Sequence, residues 1–458
     1  MGFKQVRLFH TNDIHSSFDY WSSIVKYIKQ NRDDNTLYVD IGDHTDRSHP
    51  ITEATLGKGN IALLNEAAVD YVTIGNNEGI TFSFEQLDQL YMEAQFKIIL
   101  ANLEDQNGKR PSWCTPYEIT SLINGVKVGF IGLTAPFSRF YEQLGWRVLN
   151  PEEVLLQWLP IVKKKADIVV VLSHLGLHAD RKLAEGFNGI DVIIGGHTHH
   201  VLHEGEQVNE TLIVQAGKYG TYLGEITLYI DQAQHMVIKK QATLHHYSKR
   251  MNIDKHTTNL LDTLAIKAKR LLMQPVATLP KDFEVNWFEE TELVKQLCDA
   301  LTKWCGQSIG MLNAGVLLHS LKKGTISKGD LLSVCPHPIN PCVVPLSGKE
   351  LKEVIIRGES KDIQELELKG FGFRGKVLGK TIFSGLTYEY DRDRNDVNSV
   401  VIQGEPLIEH ETYLLATLDM YTFGHLFPMI AESEEKRFFM PEVLRDVLEF
   451  TIKEIGSS

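Results

Sequence analysis

The sequence predicts an α/β fold with two domains joined by a connector helix. Between Val6 and about Tyr247, short apolar strands alternate with amphipathic helices, which is the pattern of a layered α/β domain. A helical run then begins at Asp254 and is ended by Pro275, and the chain after it again mixes helices with strands. We therefore assign residues 1–250 to a first domain, 251–275 to the connector helix and 276–458 to a second α/β domain.

The composition is that of a soluble globular protein and argues against two classes of partner. Hydrophobic residues make up 43% and charged residues 23% of the 458 residues, which are ordinary values. A net charge of −12 without a clustered basic face argues against nucleic acid, and no apolar run approaches the length that spans a membrane. The first ten residues read as a strand rather than a secretory signal, and the five cysteines are scattered. We therefore expect reduced thiols, a cytoplasmic protein and a small-molecule partner.

The elements of the first domain follow from the spacing of its apolar residues. Strands are predicted at 6–10, 36–41, 71–74, 167–173 and 191–196, and a hairpin of strands at 222–231 and 235–247 closes the domain. Helices are predicted at 22–30, at 84–94 and from Pro151 to Ala166. In the second domain, the same reasoning gives helices at 292–305 and 348–358 and a strand at 384–391.

Polar side chains that can bind a metal follow five of these strands. In α/β sheets, functional sites lie at the carboxyl ends of the strands, so these side chains are expected to converge. The candidate ligands are Asp13, His15, Asp43, Asn76, His174, His197 and His199.

The residue types indicate transition metals. Asp13 and His15 lie two positions apart, where an extended chain turns both side chains the same way. Gly195 and Gly196 let the backbone turn closely before His197 and His199, which again lie two apart. Mixed oxygen and nitrogen ligands suit divalent Mn, Zn, Fe or Co. A bridging carboxylate with outer histidines would hold two such ions roughly 3.5–4 Å apart, as in phosphoryl-transfer sites.

The ordered ligand motifs resemble those of the calcineurin-like metallophosphoesterases. The opening Thr11–Ser16 segment and the Ser173–Gly176 step are similar to the 5′-nucleotidase branch of that family, and so are the segments 346–351 and 384–388 of the second domain. The resemblance implies a two-sheet sandwich flanked by helices, followed by a C-terminal α/β substrate domain. It also implies that one metal is held by Asp13, His15, Asp43 and His199, and the other by the shared Asp43 with Asn76, His174 and His197.

The chain departs from the family pattern where the leaving group is protonated. The family's third motif carries a catalytic His and an Asp that orients it, and here those positions are Asn77 and Ile80. An amide can donate a hydrogen bond to a phosphoryl oxygen but cannot deliver a proton. General acid assistance is typically worth about 10²–10⁴ in rate, so we assign Asn77 only a weak catalytic role.

The second domain also lacks the arginine and the acid that the family places near its substrate. The segment from Asn313 through Gly315 ends without the arginine, and a loop at 370–375 formally matches a dinucleotide-binding motif. We reject that motif because the chain after it looks extended rather than helical. We expect this loop to carry Arg374 towards the substrate and nearby aromatics to stack on a base. The expected substrate-binding residues are Asn313, Gly315, Phe371, Phe373, Arg374, Tyr421 and Phe423.

The sequence therefore predicts a metal-dependent phosphohydrolase that acts on nucleotide-like phosphate esters with a metal-bridged hydroxide as nucleophile. Because the general acid is missing, a cyclic-nucleotide phosphodiesterase or a nucleotide-sugar pyrophosphatase is an alternative. A non-catalytic, metal-loaded nucleotide-binding protein is the alternative outside the enzymes.

Overall fold

The computed structural model describes residues 3–232, 236–248 and 252–457. It contains two compact units, Met1–Ala268 and Lys269–Ser458. The division falls inside a long helix, Lys255–Leu272, which corresponds to the predicted connector. The predicted boundary at residue 250 lies outside the described residues.

The first unit alternates strands with helices as its apolar pattern predicts. Its strands are β1 (Phe3–Thr11), β2 (Thr36–Asp40), β3 (Tyr71–Val72), β4 (Lys97–Ile99), β5 (Leu103–Asp105), β6 (Cys114–Thr115), β7 (Tyr117–Ser121), β8 (Lys127–Thr134), β9 (Trp146–Val148), β10 (Ile168–His174), β11 (Val192–Gly195), β12 (Glu206–Val208), β13 (Thr211–Val214), β14 (Tyr222–Asp231) and β15 (Met236–His246). Its helices are α1 (Trp21–Asn31), α2 (Pro50–Thr55), α3 (Lys58–Glu66), α4 (Asn76–Thr81), α5 (Phe84–Leu90), α6 (Ser138–Gln143), α7 (Pro151–Lys163), α8 (Leu177–Gly186) and α9 (Lys255–Leu272).

Two mixed sheets form the body of the first unit. One has the strand order β15-β14-β1-β2-β3-β4-β6 and the other the order β12-β13-β11-β10-β8-β7, while β5 and β9 form a separate pair. Strands β1, β2 and β3 run parallel, as do β8, β10, β11 and β13. The predicted fold, two mixed sheets with flanking helices, is confirmed.

The core between the sheets follows from the alternation of side chains along each strand. On β10, Val170 and Leu172 belong to the same buried cluster as Val6 and Leu8 of β1, which lies in the other sheet. The intervening Val169 of β10 instead packs in a second buried cluster with residues of α7 and α8. Both faces of β10 are therefore apolar, which explains its continuous hydrophobic run.

Local signals fix the ends of two helices. Asn150 caps α7 by accepting hydrogen bonds from the backbone N–H groups of Glu152 (2.8 Å) and Glu153 (3.3 Å). Asp254 caps α9 in the same way, with its carboxylate accepting from the N–H of Thr257 at 2.9 Å. Such caps typically contribute about 1 kcal/mol each. Helix α9 begins where the sequence predicts but ends at Leu272, and Pro275 already opens the next strand.

The second unit is a smaller α/β assembly. Its strands are β16 (Pro275–Leu279), β17 (Ile309–Asn313), β18 (Gly324–Ser327), β19 (Pro341–Ser347), β20 (Thr381–Ser384), β21 (Leu386–Asp391), β22 (Asp396–Ile402), β23 (Glu405–Pro406), β24 (Thr412–Leu418) and β25 (Arg437–Phe438). Its helices are α10 (Glu292–Trp304), α11 (Lys328–Val334), α12 (Gly348–Glu359), α13 (Lys361–Gln364), α14 (Pro428–Glu432) and α15 (Leu444–Ser457). The central sheet has the order β20-β17-β24-β19-β25, and β21-β22-β23 form a separate sheet.

One predicted strand of the second unit is interrupted. The run 384–391 divides at Gly385, which has φ +74° and separates β20 from β21. A Cβ at this position would lie 1.7 Å from the carbonyl oxygen of Ser308, so only glycine fits there. The apolar pattern of the segment continues across this break, which is why it predicts a single strand.

Candidate metal centre

The candidate metal ligands come from both sheets of the first unit. Asp13 and His15 follow β1 and Asp43 follows β2, whereas His174 ends β10 and His197 and His199 follow β11. These strands end at the same edge of the sandwich, so residues far apart in sequence meet there. The predicted convergence at the strand ends is therefore what the structure shows for these side chains.

A first group consists of Asp13, His15 and His199, whose candidate ligand atoms all lie within 4.8 Å of one another. The Nε2 atoms of His15 and His199 are 3.1 Å apart. The Oδ1 atom of Asp13 lies 3.4 Å from His199 Nε2 and 3.7 Å from His15 Nε2. Two imidazole nitrogens and a carboxylate oxygen thus face a common point.

A second group consists of Asp13, Asp43 and His174, again within 4.8 Å. His174 Nε2 lies 3.5 Å from Asp43 Oδ1 and 4.0 Å from Asp13 Oδ1. Asp43 also faces the first group, because its Oδ2 atom lies 3.8 Å from His15 Nε2. Each of the two carboxylates is therefore within reach of both groups.

Asn76 and His197 form a pair beside the second group. The Oδ1 atom of Asn76 lies 2.8 Å from Nδ1 of His197, and the rings of His174 and His197 have centroids 5.3 Å apart. The backbone N–H of His197 donates to both carboxylate oxygens of Asp13, at 3.1 and 3.0 Å. All seven predicted ligands are thus brought into one neighbourhood.

His174 shows that this cluster fits a metal ion. Its ring is buried, and its Nδ1–H donates to the carbonyl oxygen of Ile41 at 2.7 Å. Within the described residues, the buried Nε2 has no hydrogen-bond partner and faces the two carboxylates. A fixed tautomer with a bare Nε2 is the usual state of a metal-ligating histidine.

The electrostatics of the cluster also call for a cation. Burial would lower the pKa of His174, but the carboxylates of Asp43 and Asp13 outweigh it and raise the pKa to about 10. Burial raises the pKa of Asp43, yet His174, together with His15 and a backbone N–H donor, more than offsets this and holds that pKa below its ordinary value. Two buried carboxylates at this spacing need positive charge between them, which a proton on His174 or a divalent ion supplies.

The ligands sit on strained backbone. Asp13, His15, Asp43, His197 and His199 all have φ between +48° and +71°. A side chain in this left-handed region costs about 1–2 kcal/mol per residue, and such strain concentrates at functional sites. The turns that impose it aim these side chains inwards.

Glu78 is a structural part of the site that the sequence reasoning did not single out. Its buried carboxylate accepts from the N–H groups of Asp43 (2.8 Å), Gly75 (2.9 Å) and Thr45 (2.8 Å), and from the Thr45 hydroxyl (2.9 Å). It thereby fixes the turn that presents Asp43. The available signal was its place three residues after Gly75, in the first turn of α4, where an acid caps a helix.

Asn12 ties the first ligand loop to a distant segment. Its amide nitrogen donates to Asp13 Oδ2 at 2.7 Å and to the carbonyl oxygen of Gly217 at 2.8 Å. Its amide oxygen accepts from the N–H of Ala216 at 2.9 Å. Nothing in the local sequence distinguishes Asn12 from an ordinary turn residue, so this link could be found only in the fold.

Asn77 occupies the position of the missing family histidine. Its N–H donates to Asp43 Oδ1 at 2.7 Å, and its side-chain nitrogen donates to the carbonyl oxygen of Thr45 at 2.8 Å and lies 3.0 Å from His15 Nδ1. The side chain is therefore held against a metal ligand. In this arrangement it orients His15 and offers no proton.

Three of the predicted substrate-binding residues are packed inside the second unit. Asn313 is buried, with its oxygen accepting from the Tyr421 hydroxyl at 2.5 Å and its amide nitrogen donating to the Leu378 carbonyl. Tyr421 is fully buried, and a Cβ at Gly315 would lie 2.0 Å from the Val377 carbonyl oxygen. These contacts stabilise the unit itself.

The Gly-rich loop presents one ring to solvent and buries another. Phe371 is 46% exposed and stacks on Phe423 with centroids 6.0 Å apart and an interplanar angle of 8°. Phe373 is buried and stacks on His337 at 5.0 Å. The N–H of Arg374 donates to His337 Nδ1 at 2.8 Å. Strand β20 follows the loop, as expected from the rejection of the dinucleotide motif.

Comparison with known proteins identifies the family. Residues 6–201 match the calcineurin-like phosphoesterase family and residues 275–432 match the 5′-nucleotidase C-terminal domain. An uncharacterized metallophosphoesterase of Bacillus subtilis, YunD, is 44% identical over 97% of this chain and 98% of its own length. The chain belongs to the calcineurin-like metallophosphoesterases. As a member of this family it is a hydrolase of phosphate esters, and the predicted family is confirmed.

Solved structures agree with the metallophosphoesterase fold over the whole chain. A putative 5′-nucleotidase from Staphylococcus aureus superimposes with a TM-score of 0.69, covering 99% of this chain and 97% of its own, at 19% identity. The 5′-nucleotidase precursor of Thermus thermophilus has a TM-score of 0.60 with coverage of 99% and 97%, at 22% identity. Metallophosphoesterases of this kind use divalent metals, which fits the ligand cluster. Among the described residues, no helix is long and apolar enough to cross a membrane.

Proposed function

We propose that the protein hydrolyses phosphate esters of nucleotide-like molecules at a centre of two divalent ions. The observation that carries this proposal is that Asp13 and Asp43 each face both ligand groups. Asp13, His15 and His199 would hold one ion. Asn76, His174 and His197 would hold the other, and Asp43 would be shared.

The chain's own residues would prepare the site for an anionic substrate. When bound, the ions supply the Lewis acidity that activates water and neutralises phosphoryl oxygens, as Mn, Zn, Fe or Co can do. The hydrogen bond from His174 to Ile41 keeps the imidazole in the ligating tautomer. The Asn12 and His197 N–H donors hold the Asp13 carboxylate in place. Asn77 holds His15.

The second unit is the proposed source of substrate contacts. Phe371 and Phe423 form a stacked pair with an exposed ring, which suits contact with a flat base. Arg374 lies in the same Gly-rich loop and is proposed to contact the phosphate or sugar. Phe373, Asn313, Gly315 and Tyr421 would support these residues from within the unit rather than touch the substrate.

Asn77 favours a second candidate function. Because its amide cannot protonate a departing alkoxide, substrates with good leaving groups need less help from the protein. Nucleoside diphosphate sugars, which release a phosphate group, and cyclic nucleotides, whose ring is opened, are such substrates. A protein that binds metal and nucleotide without turnover is the remaining possibility.

One panel separates these functions. Wild-type protein loaded with Mn²⁺ would be assayed on nucleoside monophosphates, cyclic nucleotides and nucleoside diphosphate sugars, with Asp43→Asn as the control. We expect turnover of at least one class to exceed that of Asp43→Asn by about 10² or more, as for loss of a central catalytic group. Turnover equal to that of Asp43→Asn on every substrate would contradict hydrolysis and leave the binding function.

A further inference from the structure

A short loop, residues 217–220, lies against the ligands of the first metal group. The N–H of Tyr219 donates to the carbonyl oxygen of Asp13 at 2.9 Å, and the Gly217 carbonyl accepts from Asn12 at 2.8 Å. The ring of Tyr219 packs edge-on against the ring of His15, with centroids 5.8 Å apart. The 217–220 loop is therefore anchored to the metal centre at both backbone and side chain.

The backbone of this loop is strained in a way that fixes its side chains. Tyr219 has φ +62°, and it lies between Gly217 (φ +71°) and Gly220 (φ +64°). A tyrosine in the left-handed region costs about 1–2 kcal/mol that an ordinary surface turn would avoid by using glycine or asparagine. Packing in the hydrophobic core does not account for this strained conformation, because the Tyr219 side chain is 42% exposed.

Two polar groups of the loop, the Lys218 ammonium and the Tyr219 hydroxyl, are available to bind a ligand. Lys218 lies with its Nζ 4.7 Å from the centre of the Tyr219 ring. Across the described residues, neither the Lys218 ammonium nor the Tyr219 hydroxyl has an ion-pair or hydrogen-bond partner. In a protein with a net charge of −12, a cation that has no carboxylate partner and lies beside the ring that packs on His15 is available for an anion.

We propose that Lys218 and Tyr219 bind the phosphoryl group of the substrate. This proposal rests on the proposed function and names two binding residues that the family motifs do not supply. The Tyr219 hydroxyl donates a hydrogen bond to a non-bridging phosphoryl oxygen, and the Lys218 ammonium faces the negative charge of a terminal phosphate. No bond to phosphorus is made or broken by either residue. Both residues contribute to binding, and the charge of Lys218 favours a terminal phosphate, which is a dianion, over a diester, which is a monoanion.

Substitutions of Lys218 and Tyr219 are expected to change KM differently for a dianionic monoester and a monoanionic diester. Lys218→Met removes a cation, so it should raise the KM for para-nitrophenyl phosphate by about tenfold or more and that for bis-para-nitrophenyl phosphate by less than about twofold. The assay is run well above the second pKa of the phosphate, about 6, so that the monoester is a dianion. Tyr219→Phe removes an uncharged donor and should raise both KM values similarly. Lys218→Arg should restore most of the preference for the monoester.

A matched pair elsewhere in the unit provides the control. Lys165 lies 5.2 Å from the ring centre of Tyr117, before the start of β10 and at the opposite end of that strand from His174. Lys165→Met should leave both KM values unchanged. The thermal shift on adding Mn²⁺ should be the same for Lys218→Met and wild type, which shows that the metal centre is intact.

A binding measurement separates this proposal from the proposed function. Inorganic phosphate is titrated into the Mn²⁺-loaded wild type and Lys218→Met by calorimetry, with a tenfold weaker affinity expected for the variant. If the wild type hydrolyses neither ester, the proposed function fails while this titration still decides the role of Lys218. Equal phosphate affinities, or equal changes in KM for monoester and diester in Lys218→Met, would overturn the proposal.

Discussion

Glu78→Gln is the substitution that most directly tests how the metal loop is held. The Glu78 carboxylate accepts four hydrogen bonds, two of them from the N–H groups of Asp43 and Gly75. The others come from the N–H and the hydroxyl of Thr45. Glutamine has nearly the same shape, so the change removes acceptor capacity and charge without leaving a cavity.

The magnitude follows from where the glutamine oxygen can point. Facing Asp43 and Gly75, it keeps those two bonds, and the Thr45 hydroxyl can rotate to accept from the new amide. The N–H of Thr45 is then left buried and unpaired, which costs about 1–3 kcal/mol. The remaining bonds become weaker, because a hydrogen bond to a charged carboxylate is roughly twice as strong as one to a neutral acceptor. Burial raises the pKa of Glu78 because it disfavours the charged carboxylate. The neutral glutamine avoids this cost of burying a charge, and this offsets part of the loss. We expect a net destabilisation of about 2–4 kcal/mol.

Urea unfolding of the chelator-treated protein measures this value, and Mn²⁺ titration measures the effect on the site. Glu66→Gln is the control, because Glu66 forms only a partly exposed ion pair with Lys29 at 2.6 Å. Its loss should cost no more than about 1 kcal/mol. If Glu78→Gln unfolds within about 0.5 kcal/mol of wild type and binds Mn²⁺ equally well, Glu78 does not hold the loop.

Two further substitutions test the site and the second unit. Gly75→Ala should abolish the rise in melting temperature on adding Mn²⁺, because a Cβ there would lie 2.1 Å from Asp43 Oδ1. The control is Gly186→Ala, at a helical site with open space, which should keep that rise. Equal Mn²⁺-dependent thermal shifts in the two variants would refute this. Burial raises the pKa of Asp419 to about 8, so the folded protein retains a proton that the unfolded chain loses above about pH 4. The stability contributed by the neutral carboxyl is therefore lost as pH rises from about 4 to 8. Asp419→Asn should flatten this part of the plot of unfolding free energy against pH, as measured by urea titrations at several pH values. An unchanged slope would contradict the prediction.

The sequence predicted which candidate ligands would lie close together, because their signal is periodic and local. A strand of alternating or continuous apolar residues specifies both its direction and its end, and parallel neighbours then bring those ends together. This holds for Asp13, Asp43 and His174, which lie at the ends of three such strands. The residues that hold the ligands in place follow no such pattern.

Asn12 illustrates what pattern reasoning could not reach. Its bonds to Ala216 and Gly217 join segments about two hundred positions apart, and they depend on the final packing of the two sheets. In the second unit, aromatic spacing suggested base-stacking residues but could not separate the exposed Phe371 from the buried Phe373 and Tyr421. Exposure is a property of the assembled unit, so neighbouring aromatic residues with similar chemistry received the same prediction.

The origin of the ligands in two different sheets has a consequence for how the first unit opens. Bound ions would join the ends of β1 and β2 to those of β10 and β11, while the opposite edge of the sandwich is held by apolar packing and by hydrogen bonds such as those that Asn124 donates to Asn35 and Gln5. Metal loading should therefore slow amide hydrogen exchange near Asp43 and His174 more than near Thr36 and Ile168, at the starts of the same strands. Removing the ions would therefore allow the two sheets to separate more easily at the edge that carries the ligands than at the opposite edge.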